Sequence, residues 1–135
     1  MFRSSLILVA FATIAASIKL HAPVPGPGFN QLETDGAATI SWDAEAGDPP
    51  FISLEIQNDV TLDSFEFARN VRVDSGSVTG ILDEVPGGDA YYFQAVNAHN
   101  VLDVYATGEK FTVVGEIPPI TYVPLPLYLM SIALI

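Results

Sequence analysis

A chain of 135 residues is one domain's worth of sequence, and a hydrophobic share of 50% is enough to build a core. Five Lys and Arg stand against 16 Asp and Glu, for a formal net charge of -11; phosphate binding needs clustered cations, so this balance excludes a nucleic-acid partner. There is no cysteine, and with it go both a disulfide frame and a thiolate metal site.

Residues 1–17 read as a secretory signal peptide, with Arg3 as the positive n-region and Leu6–Ile14 as the apolar h-region. The small residues Ala15, Ala16 and Ser17 offer cleavage after Ala16 or after Ser17. The apolar run is shorter than the roughly 20 residues a bilayer span needs, so removal is expected rather than anchoring. The location that follows is secreted and extracellular.

Ile18–Ala22 predicts a short first strand. Pro23, Pro25 and Pro27 then deny the ladder its donors, so Pro23–Gly28 reads as a rigid, extended crossover. Thr34–Gly36 is a turn into Ala37–Trp42, a second strand that ends on the sole tryptophan, with Ile40 and Trp42 on one buried face. Asp43–Pro50 is an acidic loop. It does not match the glycine and terminal glutamate positions of an EF-hand calcium loop, so it reads as solvated.

Phe51–Gln57 alternates cleanly, with Ile52, Leu54 and Ile56 inward and Ser53, Glu55 and Gln57 outward. Asn58-Asp59 begins a turn, and Val60–Ser64 is a connector of ambiguous type. Phe65–Phe67 and Val71–Val73 alternate on either side of Ala68–Asn70, which is either a turn between two strands or a bulge in one. Asp74–Gly76 turns into Ser77–Leu82, a further strand.

Pro86–Asp89 is turn chemistry, and it feeds Tyr91–Val96, rich in aromatic and β-branched residues. Tyr91, Phe93 and Ala95 share one face of this strand, and Tyr92, Gln94 and Val96 the other. A turn leading into a tyrosine-headed strand is how immunoglobulin-like sandwiches enter their second-last strand, through a tyrosine corner. Ala98–Asn100 loops into Val101–Tyr105, and beyond Gly108 the segment Glu109–Val114 closes the pattern.

About seven or eight short strands at such spacing predict an all-β fold, an immunoglobulin-like or fibronectin-III-like β-sandwich of about seven strands over residues 18–115. Its expected core is Ile40, Trp42, Ile52, Leu54, Ile56, Tyr91, Phe93, Phe111 and Val113. Residues 116–135 are apolar without a period and are broken by Pro118, Pro119, Pro124 and Pro126. Three readings of this tail stand: a degenerate glycosyl-phosphatidylinositol (GPI) anchor signal, a membrane-associated segment, or a non-native ending. None of them packs it into the sandwich.

The chemistry is sparse. His21 and His99 have no sequence partners that suggest a catalytic set, and no nucleophile-elbow motif, phosphate-binding glycine loop or metal-ligand spacing is present. No catalytic, cofactor or metal residue is therefore assigned. Rings exposed on a sheet can stack on pyranose faces, which makes Tyr92 and Tyr105 the candidate ligand-facing aromatics.

The run from Ile18 to Val114 resembles the N-terminal immunoglobulin-like domain of fungal Ser/Thr-rich, GPI-anchored cell-wall proteins, shared with yeast cell-wall synthesis proteins of β-1,6-glucan assembly. The resemblance is carried by Thr39–Trp42, Ile52–Ile56, Ala68–Val71 with Ser75–Ser77, Gly88–Ala95 and Tyr105–Val113. It implies a secreted, non-enzymatic protein of the cell wall or extracellular matrix, supporting β-glucan organisation, with wall polysaccharide or wall proteins as partners and no cofactor. The tail adds possible membrane association. The family usually continues into a Ser/Thr-rich stalk, which residues 116–135 do not resemble. The alternative is a secreted carbohydrate-binding module or a small carbohydrate-active enzyme.

Overall fold

The computed structural model describes residues 16–115, and apart from one 3-10 turn every regular element there is a strand. In chain order these are β1 (Lys19–Leu20), β2 (Val24–Pro25), β3 (Ala37–Asp43), β4 (Phe51–Asn58), β5 (Ser64–Arg72), the 3-10 turn Val73–Ser75, β6 (Ser77–Ile81), β7 (Gly88–Asn97), β8 (Asn100–Thr107) and β9 (Phe111–Val113). The expected signal peptide lies outside the described residues except for its last two positions, and the whole of the tail 116–135 lies outside them.

All the strand pairs are antiparallel and form two sheets. In the first, β3 is central. Both β2 and β6 pair with it at Ala38 and Thr39, so they occupy opposite edges. β1 continues the β2 edge, with Leu20 opposite Trp42 and Val24 opposite Thr39. The partner sum changes by one residue between those pairs, a bulge at the proline. This corrects the expected crossover: the proline-rich stretch runs along the sheet edge, with Pro25 opposite Ala38 and the Gly26 amide donating to the Ala37 carbonyl at 2.8 Å. Proline is tolerated there because an edge strand turns half of its donors to solvent.

The second sheet has the order β5-β4-β7-β8, and β9 takes up the same edge of β7 beyond β8. The Gly108 amide donates to the Phe93 carbonyl at 2.8 Å in the gap between β8 and β9, so the edge is one interrupted strand. The open choice at Ala68–Asn70 resolves as a bulge within a single strand, β5, whose register against β4 shifts on either side of Leu54. Asn70 takes the left-handed conformation there, with φ 54. Asparagine tolerates that region better than most side chains.

The two sheets pack face to face on one cluster, to which Leu20, Ile40 and Trp42 come from the first sheet and Leu54, Ile56, Phe93 and Val113 from the second. This is a β-sandwich. Eight of the nine expected core residues are buried; Phe111 is partly buried and packs against the cluster. Its ring stacks on Phe93 at 5.3 Å and on Tyr91 at 6.0 Å. Phe67 meets Phe93 edge-on at 5.0 Å, and a Cβ at Gly80 would lie 2.9 Å from the Phe67 ring. A glycine in β6 is thus what lets the β5 aromatic reach the centre. Burial of an aromatic such as Phe93 contributes roughly 1.5–3 kcal/mol.

Two buried polar tips are satisfied by main chain. The Trp42 Nε1–H donates to the Val73 carbonyl at 2.8 Å, which ties β3 to the 3-10 turn. The Tyr91 hydroxyl donates to the Pro86 carbonyl at 2.7 Å, the contact that a tyrosine corner makes. On β7, Val96 shares the face of Tyr92 and Gln94 but is fully buried. It pairs with Ser53, also buried, at the end of the sheet where the β7–β8 connection and Ser53 wall a groove. Outward-pointing side chains are exposed only where nothing folds over them.

Candidate ligand-binding face

The outward face of the second sheet carries the most developed polar arrangement on the described residues. Antiparallel pairing places Ser64 of β5, Gln57 of β4 and Tyr92 of β7 in one cross-strand row. Two residues along each strand, Glu66, Glu55, Gln94 and Thr107 form the next row. Neighbouring strands lie about 4.8 Å apart and same-face neighbours about 7 Å apart. Tyr92 therefore has amide groups beside it on two sides, those of Gln57 and Gln94. The Gln57 amide is oriented by donation to the Ser64 Oγ at 3.0 Å. Such a patch offers a ring face and several donors and acceptors.

Charge at the second row is organised by Arg69. Its Nε and Nη2 donate to the two Glu66 oxygens at 2.6 and 2.8 Å, a two-point pairing. That hydrogen bonding holds the Glu66 carboxyl below its ordinary range. Glu55, directly opposite Glu66, is pushed the other way, first by partial burial and then by the neighbouring Glu66 charge. Ser53, Glu55, Glu66 and Arg69 wall a shallow groove of about 500 Å³, closed at one end by Ala98–Leu102. The Ser53 Oγ accepts from the Asn70 amide at 3.2 Å, so the bulge in β5 fixes this end of the groove.

The two tyrosines singled out from the sequence are placed apart. Tyr92 lies on the outward face, half-buried, between the buried Tyr91 and Phe93. Tyr105 packs partly against the core cluster and lines a separate groove with Ala16, Pro49, Pro50 and Asp103. Burial, and then the Asp103 charge, raises its phenol pKa. The structure therefore does not bring them into one aromatic row. What neighbours Tyr92 instead, Gln57 across the strand pair and Gln94 two residues along β7, was not singled out as a site from the sequence, nor were Glu55, Glu66 and Arg69 of the adjoining groove. The signal was there in part, since Glu55 and Gln57 are the polar half of the alternating segment Phe51–Gln57.

Of the two histidines, His99 lines the groove end, while His21 is held by Asp43 across the β1–β3 pair, with Nε2–Oδ1 at 3.1 Å. No hydrogen bond joins His21 to a serine hydroxyl among the described residues. Nor do the described residues gather three or more His, Asp or Glu side chains in a way that could hold a metal ion. No described helix is long and apolar enough to cross a membrane. Comparison with known proteins gave no matching family model, no matching curated protein and no matching solved structure.

Proposed function

We propose that this protein is a secreted, non-enzymatic component of a fungal cell wall or extracellular matrix that contacts β-glucan through the outward face of its five-stranded sheet. The observation that carries the reading is Tyr92 between the Gln57 and Gln94 amides, because a ring face flanked by neutral donors and acceptors suits a neutral polyhydroxyl chain. Three further features support it: the resemblance over Ile18–Val114, the Tyr91–Pro86 contact typical of immunoglobulin-like and fibronectin-III-like sandwiches, and the net charge of -11, which disfavours polyanionic ligands. Secretion, wall location and an anchoring role for the tail belong to the same proposal.

The test is retention of the purified protein on insoluble β-glucans and on chitin, for wild type and Tyr92→Ala, with a hydrolysis assay run alongside. Retention on glucan that falls with Tyr92→Ala supports the reading; equal retention of both proteins, or none, counts against it.

One observation favours a second reading, a small carbohydrate-active enzyme. Glu55 and Glu66 are cross-strand partners with their acidities pushed apart, and directly opposed side chains approach the roughly 5 Å separation of a retaining glycosidase pair. Against it, Glu66 is occupied by Arg69. Glucan hydrolysis that disappears in Glu55→Gln would replace the first reading with this one.

A further inference from the structure

Near the start of the described residues the chain is tied down at a single residue. The Ser17 backbone nitrogen donates to Asp48 Oδ1 at 2.7 Å, and the Ser17 hydroxyl donates to Asp48 Oδ2 at 2.8 Å. Both carboxylate oxygens of a loop 31 positions away are thus engaged by one residue. The loop is shaped to present them, because the Glu45 amide donates to Asp48 Oδ2 at 2.7 Å. Immediately afterwards Ile18 enters the core with 6% exposure.

Resting on the secretion reading above, we propose that the leader is removed at the Ala16–Ser17 bond, and that the Ser17 α-ammonium so created seats on the Asp48 carboxylate. The step is peptide hydrolysis by a leader-removing peptidase. Water breaks the Ala16–Ser17 C–N bond; its oxygen ends in the Ala16 carboxylate, and the nitrogen leaves as the Ser17 ammonium.

The small residues of the leader allow this cut or one after Ser17, and the two products differ. Removal of Ser17 takes away its two donors to Asp48 and leaves only the Glu45 amide. Cleavage one bond earlier keeps both and gives the nitrogen a full positive charge, which turns a hydrogen bond to a carboxylate into a hydrogen-bonded ion pair. The surroundings favour that charge. Asp103 and Tyr105 line the groove beside Asp48, and Glu45 sits on the same loop. Arg72, which lines a pocket with Asp48 on the other side of the loop, is already held by Asp74 at 2.6 Å. Among the described residues no side-chain cation forms a salt bridge with Asp48.

The experiment is secretion of the full 135-residue chain, leader included, from a yeast host, with N-terminal sequencing of the protein in the medium. Ser17 as the first residue is the expected result. Ile18 or any other start overturns the proposal and leaves the secretion reading intact; absence from the medium, or a retained leader, overturns both.

The secreted protein is then melted beside Asp48→Asn at about pH 6 and about pH 10. An α-amino group ordinarily titrates near pH 8, and an acidic neighbour raises that value in the folded state. Its contribution is therefore fully present below pH 8 and is lost as pH rises through the folded value. Asp48→Asn is expected to melt about 1–5 °C lower at the lower pH, with the gap closing at the higher one. An equal gap at both pH values would assign Asp48 to neutral hydrogen bonding alone and overturn the ion pair.

Discussion

Two adjacent tyrosines on β7 are assigned opposite work, and removing one hydroxyl from each separates the assignments. Tyr91 is 2% exposed, and its hydroxyl donates to the Pro86 carbonyl at 2.7 Å while its ring stacks on Phe111 at 6.0 Å. Tyr91→Phe keeps the ring and its buried area and deletes only that donor. A hydrogen bond of this kind contributes about 0.5–1.5 kcal/mol net. Pro86 is exposed, so water can reach the freed carbonyl, and the loss should fall near the middle of that range, at about 1 kcal/mol. For a folded region of roughly 100 residues this lowers Tm by about 4–8 °C.

Tyr92→Phe is the control. That residue faces outward, and its hydroxyl makes no hydrogen bond among the described residues, so stability should change by less than about 0.5 kcal/mol. Thermal melts followed by circular dichroism, with urea midpoints as a second measure, read both variants. A Tyr91→Phe melt within a degree of wild type, or a Tyr92→Phe melt that drops as far as Tyr91→Phe, would refute the division of roles.

Other variants probe the remaining contacts. Trp42→Phe removes the Nε1–H bond to the Val73 carbonyl in a buried site, and should cost about 2–3 kcal/mol in urea unfolding. Gly80→Ala places a Cβ 2.9 Å from the Phe67 ring and should cost about 1–3 kcal/mol; a neutral result would mean that the ring has room to withdraw. Leu62 is left-handed, with φ 64, and 80% exposed, so Leu62→Asn should raise Tm while removing an exposed apolar side chain. Glu55 has a raised folded pKa, so its contribution is present below the ordinary carboxyl value of 4.5 and is lost as pH rises through the folded value. Glu55→Gln should therefore melt higher than wild type at pH 7, with the difference vanishing near pH 4. The lowered carboxyls of Asp48, Glu66 and Asp74 act in the opposite sense, and their stabilisation is lost as acid titrates them.

What the sequence determined by itself was which residues turn inward. Alternation in Phe51–Gln57 and Tyr91–Ala95 is a local property, because side chains of a strand take opposite faces in turn and burial selects the apolar set. Ile52, Leu54, Ile56, Tyr91 and Phe93 are accordingly buried. Turn chemistry at Pro86–Asp89 likewise marked Tyr91, whose hydroxyl needs only a carbonyl five residues back.

Everything that depends on pairing between distant segments was decided by the tertiary structure. Pro23–Gly28 reads as a crossover until β3 offers Val24 and Pro25 an edge on which missing donors cost little. Ser53 reads as outward and is buried with its cross-strand partner Val96, at the end of the sheet where Ala98–Leu102 wall the groove. His21 finds Asp43, and Ser17 finds Asp48, only across folded pairs and loops. The same holds for the ligand face. Tyr92 and Tyr105 look equivalent in the sequence, and one-residue register choices put the first beside Gln57 and the second against the core. Periodicity fixes the face that a side chain takes, and register fixes its neighbours; register is set by contacts too far apart in the chain for any local pattern to encode.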